Sequence, residues 1–316
     1  MKTLNEYIEG MLLFKESIGY SRQTYEYDLM RFCRFMESKG LNVSDLKEDI
    51  VLNWCSRWES ESPTGARRRI QTVRELLKYL SAIGIDCYVI PSSFLPRAET
   101  RTPYIFTDNE LLRIFDECDS LKPDQSSPHR HLILPVLLRL IFFCGLRPNE
   151  GRELQSCDID FDKGILLIRK NKSHKERYVA MSDDVLRMCA GYRSNSAAIY
   201  PDHAYFFPSP TGTPYHRHWL AKQFRTIWRK VRPDNSKANA VVYDLRHRHA
   251  TTVLMKWLDE GADLGAKLPY LSAYMGHTRF SDTAYYIHLL PENLIRSAAI
   301  DWGHFSDLIP EVAGDE

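Results

Sequence analysis

Residues 132–150 read LILPVLLRLIFFCGLRPNE: a strongly apolar segment, then a glycine, an arginine, a proline and a glutamate. The apolar segment predicts a buried helix that ends near Gly145. Pro148 suits the first turn of a second helix, which puts Arg147 at the start of that helix. Because an arginine near a helix start is more often a surface residue, this stretch predicts a helical core but leaves the role of Arg147 open.

The segments on either side of this stretch predict one domain that contains both helices and strands. Residues 164–181, GILLIRKNKSHKERYVAM, hold two short apolar runs that flank a polar turn, which indicates a β-hairpin. Thr107 and Glu110 have the spacing of a capping box before an apolar helix. Residues 104–300 are therefore predicted to form an α+β domain with a small antiparallel sheet.

Residues 1–90 are predicted to form a separate all-α domain, which makes the whole fold mostly α. Apolar residues recur there at helical spacing in four segments. Three prolines and no periodicity predict a linker at 91–103, and residues 301–316 are assigned to a C-terminal tail. The expected limits are Gly19 for the end of the first helix, Ser21 and Gly40 for the second, Ser44 and Trp58 for the third, and Pro63 and Gly84 for the fourth.

Composition and sequence argue against a membrane-spanning protein and against a secreted protein. The chain is 44% hydrophobic and 26% charged, which is typical of a folded globular protein. No apolar run approaches the ~18 residues of a membrane span, and the N-terminus carries acids where a signal peptide needs an apolar core. Seven widely spaced cysteines without a Cys-x-x-Cys pair favour a reduced, cytoplasmic protein.

Charge alone does not decide whether the chain binds DNA. The net charge is +1, but residues 65–80 and 224–232 are strongly basic. A basic helix face can contact phosphates or can simply be solvated, and the two interpretations are about equally supported. Four arginines of the fourth helix are the candidates for phosphate contacts, with some of them expected to face solvent: Arg67, Arg68, Arg69 and Arg74.

Five short motifs, in this order, resemble the tyrosine recombinase (phage integrase) family, including its Xer-type members. They are GLRPNE (145–150), NKSHKERYVAM (171–181), YFFPS (205–209), YDLRHRHAT (243–251) and MGHTRFSDTAYYIH (275–288). The N-terminal helices are also similar to the core-binding domain of the family. The resemblance implies six site residues: the catalytic arginines Arg147 and Arg246, Glu150 as an acidic supporter of Arg147, Lys172, His277, and the nucleophile Tyr286.

The chemistry of phosphate transfer supports this assignment. Arginine offers an always charged fork that matches phosphate geometry, so Arg147 and Arg246 can hold the charge of the transition state without a metal or cofactor. In the family, the tyrosine forms a 3′-phosphotyrosyl intermediate and the lysine protonates the departing 5′-oxygen. Tyr286 and Lys172 take these positions, while His277 can hydrogen-bond a phosphate oxygen and assist proton transfer around Tyr286.

Two tyrosines compete for the role of nucleophile. Tyr286 follows His277 by nine residues and precedes Ile287 and His288, as the family pattern requires. The preceding Tyr285 is offset by ~100° on a helix, so the two rings cannot share one site. Tyr285 is expected to pack or to face another direction.

One position departs from the family pattern. The family usually has histidine where this chain has Tyr243, which can donate a hydrogen bond to phosphate but cannot carry a proton as a cation near neutral pH. His247, beside Arg246, is expected either to border the DNA or to pack.

A cluster of acids suggests a metal site but is better explained otherwise. Asp158, Asp160 and Asp162 resemble a calcium loop, yet the glycine comes one place late and Arg169 stands where the bidentate glutamate belongs. These acids are therefore predicted to be residues of the hairpin start and its turn, with no metal bound.

The resemblance favours a site-specific recombinase over two alternatives. A type IB topoisomerase would share the chemistry but would not exchange strands, and a catalytically inactive relative would only bind DNA. The expected partner is double-stranded DNA with an inverted-repeat site, bound by a dimer, with a tetramer in synapsis and accessory proteins left open. No arm-binding domain is expected, which favours the Xer or mobile-element kind. The tail is expected to dock onto a neighbouring subunit rather than to fold back.

Overall fold

The computed structural model describes residues 2–56, 58–97, 101–169, 176–199, 203–233 and 238–290. The chain divides into two compact units, residues 1–102 and 103–316. The predicted fold class is confirmed: the first unit is all-α, and the second combines helices with one small antiparallel sheet. Within the described residues, none of the helices combines the length and apolarity needed to cross a bilayer.

Among its described residues, the first unit contains four α-helices around one apolar core. They are α1 (Leu4–Ser17), α2 (Glu26–Ser38), α3 (Glu48–Cys55) and α4 (Pro63–Ala82). Pro63 occupies the first turn of α4, where the side chain of Ser62 accepts a hydrogen bond from the amide of Gly65. The core residues include Ile8, Phe32 and Leu77, each at most 1% exposed. The four predicted helices are therefore present.

Two of these helices are shorter than the sequence indicates. The second begins at Glu26, because Arg22–Thr24 forms a 3₁₀ turn after Ser21. The third begins at Glu48, because Val43–Asp45 forms a separate 3₁₀ turn. In this turn the amide of Asn42 donates to the Asp45 carboxylate, and the amide of Ser44 donates to the side chain of Asn42. It ends at Cys55, since the backbone of Ser56 leaves the helical region, and Trp58 therefore lies beyond it.

The second unit is built around the apolar helix that was predicted from residues 132–143. That helix packs against the helices Asp108–Asp119, Asp183–Ala197 and Tyr243–Asp259. The capping box at Thr107 is confirmed, with the amide of Glu110 donating to Thr107 Oγ1 over 3.2 Å and the amide of Thr107 donating to Glu110 over 2.8 Å. The helices are α5 (Asp108–Asp119), α6 (Arg130–Phe143), α7 (Pro148–Arg152), α8 (Asp183–Ala197), α9 (Arg217–Val231), α10 (Tyr243–Asp259), α11 (Leu264–Met275) and α12 (Ser281–Ala284).

The predicted hairpin is present and has a third strand beside it. Strands β1 (Ile159–Asp160), β2 (Ile165–Ile168) and β3 (Arg177–Ala180) form an antiparallel sheet in that order. Ile168 is opposite Arg177, which fixes the face on which each side chain of β3 lies. Strand β1 is only two residues long and gives no periodic signal in the sequence.

The acids before the hairpin have local partners. Asp160 Oδ1 accepts hydrogen bonds from the amides of Asp162 and Lys163 over 3.1 and 2.9 Å, which closes the turn. Asp158 pairs with Arg169, the residue that departs from the calcium-loop pattern. These contacts match turn and hairpin-start roles.

Candidate active site

The turn between α6 and α7 places Arg147. Gly145, two residues after the end of α6, lies in the left-handed region (φ +57°), and a Cβ there would meet the ring of His249 at 2.6 Å. Arg147 is the N-cap of α7, and its amide donates to Glu150 Oε2 over 2.8 Å. Its guanidinium donates to Glu150 Oε1 over 2.7 Å and stays 21% exposed. The turn therefore places a partly exposed guanidinium that a carboxylate holds in position.

Arg246 lies one helix away and is completely buried. It stands in the first turn of α10, with its side chain 0% exposed. Nη1 donates to the carbonyl of Gly145 and Nη2 to that of Met275, both over 2.6 Å. The nearest oxygen of Glu150 is 4.0 Å from Nη1. Burial lowers the pKa of Arg246 from its usual value, because removal from water disfavours the charged form.

The C-terminal end of α11 binds several arginines at once. Its last carbonyls have no partner within the helix and carry the negative end of the helix dipole. The carbonyl of Met275 accepts from Arg246, and that of Gly276 accepts from Arg147 Nη2 over 2.6 Å. The carbonyl of Tyr274 accepts from Nε of Arg177 over 2.9 Å. Three consecutive carbonyls thus hold three guanidinium groups.

Arg177 was not anticipated from the sequence. It begins β3, is 8% exposed, and forms a two-pronged ion pair with Glu150, with Nη1–Oε1 2.8 Å and Nη2–Oε2 2.7 Å. Its strand position carried a signal, since Arg177 shares the inward face with the buried Val179, while Tyr178 points outward. A charged residue on the inward face of a strand needs a partner of opposite charge, because an unpaired buried charge is costly.

Glu150 is the shared partner of these arginines. Burial opposes its ionisation, but hydrogen bonds and charge from Arg177 and Arg147 outweigh this, so the pKa of Glu150 lies below its usual value. Within 4.0 Å of the three guanidinium groups, the described part of the chain offers one carboxylate. Three positive charges against one negative charge make a site that attracts an anion.

Tyr286 lies in the 3₁₀ turn Tyr285–Leu289 and faces this cluster. It is 2% exposed, whereas Tyr285 is 40% exposed, so the two rings lie in different environments as predicted. Burial raises the pKa of Tyr286 to about 12, although the charges of Arg246 and Arg147 act in the opposite direction. The phenol is therefore protonated at neutral pH and needs a base or an adjacent positive charge to react as a nucleophile.

Two imidazole rings flank Tyr286. The His277 ring is stacked at a centroid distance of 5.9 Å, and the His247 ring is tilted at 5.5 Å. His277 Nδ1 is 2.7 Å from Thr283 Oγ1. Burial and the neighbouring guanidinium groups lower the pKa of His277 to about 3, so this imidazole is neutral at physiological pH. It can form hydrogen bonds but does not add charge.

Tyr243 and Lys172 are the two remaining residues predicted for this site, and the structure describes only Tyr243. Tyr243 opens α10, is 36% exposed, and its ring lies 4.9 Å from that of His247, so the structure brings it to the edge of the same cluster. Lys172 falls outside the described residues.

The predicted phosphate contacts of α4 need one correction. The prediction for Arg69 is wrong: its side chain is fully buried, pairs with Glu61 and donates to backbone carbonyls, so it has no surface to offer. Arg67 and Arg74 are half-buried and donate to the carbonyls of Pro96 and Ile90 over 2.7 Å each. Arg68 keeps 64% of its side chain exposed while pairing with Asp28.

Comparisons with known proteins match nearly the whole chain. The model of the Phage integrase family matches residues 105–293, and that of the Phage integrase N-terminal SAM-like domain matches residues 4–84. The putative integrase/recombinase y4rE of Sinorhizobium fredii is 29% identical, over 90% of this chain and 91% of its own length. Tyrosine recombinase XerC of Oceanobacillus iheyensis is 26% identical, over 92% of each chain.

Solved structures show the same fold. The XerH site-specific recombinase, bound to a palindromic difH substrate, has a TM-score of 0.65 at 19% identity, over 89% of this chain and 80% of its own. A lambda integrase tetramer bound to a Holliday junction has a TM-score of 0.58 at 15% identity, over 88% of this chain and 78% of its own.

Proposed function

Because the chain belongs to the phage integrase family, we propose that it recombines DNA by attack of Tyr286 on a phosphodiester held by Arg147 and Arg246. Site-specific cutting and rejoining of DNA is the activity of this family of tyrosine recombinases, and the chain is an enzyme of that class. The relatives are integrases and recombinases, which favours strand exchange over the nicking-closing and inactive alternatives.

The observation that carries the proposal is the position of Tyr286 among guanidinium groups. Its phenol lies close enough to Arg246 and Arg147 for both charges to lower its pKa against the effect of burial. The same charges would stabilise the extra negative charge that a phosphodiester gathers in the transition state. The phenol of Tyr286 loses its proton to water as its oxygen attacks the phosphorus. The bond to the 5′-oxygen breaks, the 3′-phosphate stays on Tyr286, and we assign protonation of the departing oxygen to Lys172.

The neutral side chains complete the site in this proposal. His277, whose pKa of about 3 keeps it neutral, would donate one hydrogen bond to a non-bridging phosphate oxygen. Tyr243, at the exposed edge, would donate another. Glu150 would act on the phosphate only through Arg147, whose fork it orients.

A nicked suicide substrate tests the nucleophile. The released DNA fragment diffuses away, so the protein should stay covalently attached to the 3′-phosphate. Tyr286→Phe should abolish this adduct, and Tyr285→Phe, the matched control, should leave it in place. An adduct that survives Tyr286→Phe but is lost in Tyr285→Phe would reverse the assignment.

We propose that DNA is contacted by Arg68 in the first unit and by one exposed basic face of α9 in the second. Lys222, Arg225 and Arg229 are spaced three and four residues apart on α9 and are all exposed. The neighbouring Lys230, in contrast, pairs with Glu117.

The cysteines bear on the compartment in which the protein works. Seven free cysteines, five of them buried, support a reducing compartment such as the cytoplasm.

The partners follow the same reasoning. We propose a dimer on an inverted-repeat site and a tetramer in synapsis, supported by the solved tetramer of lambda integrase. The tail at 301–316 lies outside the described residues, and we propose that it docks onto a neighbouring subunit.

A gel-shift series, paired with a recombination assay, tests the proposed DNA contact of α9 and the role of the tail. Arg225→Ala should weaken binding and lower the slope of log affinity against log salt by about one, as expected for one lost phosphate contact. Truncation after Ala299 should keep this binding but lose two-duplex complexes and recombination. An unchanged salt slope would remove the α9 face from the interface, and full recombination by the truncated chain would remove the tail from assembly.

A further inference from the structure

Arg177 is a buried charged residue that the proposed reaction does not yet use. Its side chain touches three parts of the site: both oxygens of Glu150, the carbonyl of Tyr274, and the turn at Gly276. A Cβ at Gly276 would lie 2.9 Å from Cδ and Nη1 of Arg177, so the glycine is what allows the guanidinium to pass. Each of the three guanidinium nitrogens thus donates to a protein oxygen, and the side chain is only 8% exposed.

The contact with Glu150 is divided unequally between two arginines. Arg177 takes both carboxylate oxygens with a planar fork, at 2.8 and 2.7 Å, which is the strongest geometry for this pair of groups. The Arg147 side chain donates to one oxygen only, at 2.7 Å, and its other terminal nitrogen goes to Gly276. The guanidinium of Arg177 therefore engages both oxygens of Glu150, whereas the guanidinium of Arg147 engages one.

This division decides how much charge remains for a phosphate. If Arg177 were absent, Glu150 would face Arg147 and, at 4.0 Å, Arg246, and the net charge of the cluster would fall by one. A carboxylate that neutralises Arg147 competes directly with a phosphate for the same fork. With Arg177 present, Glu150 shares its charge between two guanidinium groups, so it orients Arg147 while neutralising it less.

We propose that Arg177 is a positioning residue for strand cleavage: it engages Glu150, so that Arg147 is oriented by that carboxylate yet remains available to the phosphate. The proposal rests on the proposed function, since it assigns a role within the same reaction. Arg177 itself does not touch the DNA. Its effect reaches the phosphate through Glu150 and Arg147, and through the Gly276 turn that precedes His277.

The test is single-turnover adduct formation on the nicked suicide substrate with the full chain. Arg177→Gln should slow the adduct ~10–100-fold, the range typical of groups that orient a primary ligand. Affinity for DNA should stay within about twofold, because Arg177 offers no exposed charge to the duplex. Arg177→Lys, which keeps the charge but lacks the fork, should lie between Arg177→Gln and the wild type.

A second substitution separates charge compensation from simple packing. Glu150→Gln in the Arg177→Gln background removes one negative charge for the one positive charge lost, and the amide oxygen can still accept from Arg147. The double variant should therefore cleave faster than Arg177→Gln alone. If Arg177 only supported the fold, the second change in the same buried cluster would add to the loss.

The outcomes distinguish this proposal from the one on which it rests. If the wild type forms the Tyr286-dependent adduct while Arg177→Gln reacts equally fast, the role of Arg177 is wrong and the proposed function stands. A double variant as slow as, or slower than, Arg177→Gln also overturns it. If the wild type forms no adduct at all, the proposed function fails, and the role of Arg177 in it fails too. Should Arg177→Gln not fold, Arg177→Lys decides: slower adduct formation at unchanged DNA affinity supports the role of Arg177, and adduct formation at the wild-type rate overturns it.

Discussion

Arg69 in α4 and Arg246 in α10 both have completely buried side chains, but their charges are balanced in different ways. Arg69 forks onto Glu61 at 2.8 and 2.7 Å and lies over the ring of Trp58 at 4.1 Å. Arg246 reaches only backbone carbonyls with its terminal nitrogens, and Glu150 stands 4.0 Å away. The guanidinium of Arg69 is neutralised by Glu61 and therefore serves as part of the core. The guanidinium of Arg246 is held by the dipoles of backbone carbonyls, so its positive charge stays available to a bound anion.

The largest effect expected from this comparison is on stability, at Arg69. Arg69→Ala breaks a buried ion pair and leaves Glu61 without its partner, which should lower the free energy of unfolding by about 3–5 kcal/mol. Denaturant unfolding of the full chain measures this. The matched control is Lys78→Ala on the same helix, whose side chain is 46% exposed, and it should change stability by about 0–1 kcal/mol. Equal stability of the two variants would contradict the structural role of Arg69.

The next effect is on catalysis, at Arg246. Arg246→Ala should slow adduct formation by about 10²–10³-fold, because it removes a preorganised charge from the transition state. Tyr243→Phe serves as the control in the same helix turn: it removes one neutral hydrogen bond, about 0.5–1.5 kcal/mol or at most roughly tenfold in rate. If both variants lose all activity, Tyr243 does more than donate one hydrogen bond. If Arg246→Ala reacts at the wild-type rate, the contrast with Arg69 disappears.

The same comparison explains which residues could be predicted from the sequence. Apolar periodicity and local capping predicted α1, α4, α5 and α6, because these signals act within one or two turns of chain. The motifs that named Arg147, Arg246, His277 and Tyr286 identified residues that the fold does bring together. Local patterns of this kind are the part of the fold that sequence reasoning reaches most reliably.

Arg69 was misplaced although its position carried a signal. It stands four residues before Val73 and seven before Leu76, on the stripe that α4 buries. The basic run at 67–69 drew attention to charge, but successive residues of a helix point in directions ~100° apart, so three neighbouring arginines cannot all face one duplex. Helical phase, applied to Arg69 as it was to the leucines, predicts burial.

Arg177 was missed for a different reason. Its carboxylate partner lies 27 residues earlier in the chain, and its backbone partner lies 97 residues later. Neither distance leaves a periodic trace in the sequence, so the contact depends on how β3, α7 and the end of α11 pack together. Such long-range pairings appear only once the tertiary fold is known.

The end of α11 has a consequence for how this site can vary among descendants of the chain. The three groups that hold the arginines there are main-chain carbonyls of residues 274–276, and every amino acid supplies one. Substitution therefore cannot remove these acceptors, and another apolar residue in place of the buried Met275 would keep its carbonyl. The constraint on the sequence instead falls on Gly145 and Gly276, where positive φ and close neighbours exclude a side chain. At these two positions the site requires the absence of a side chain.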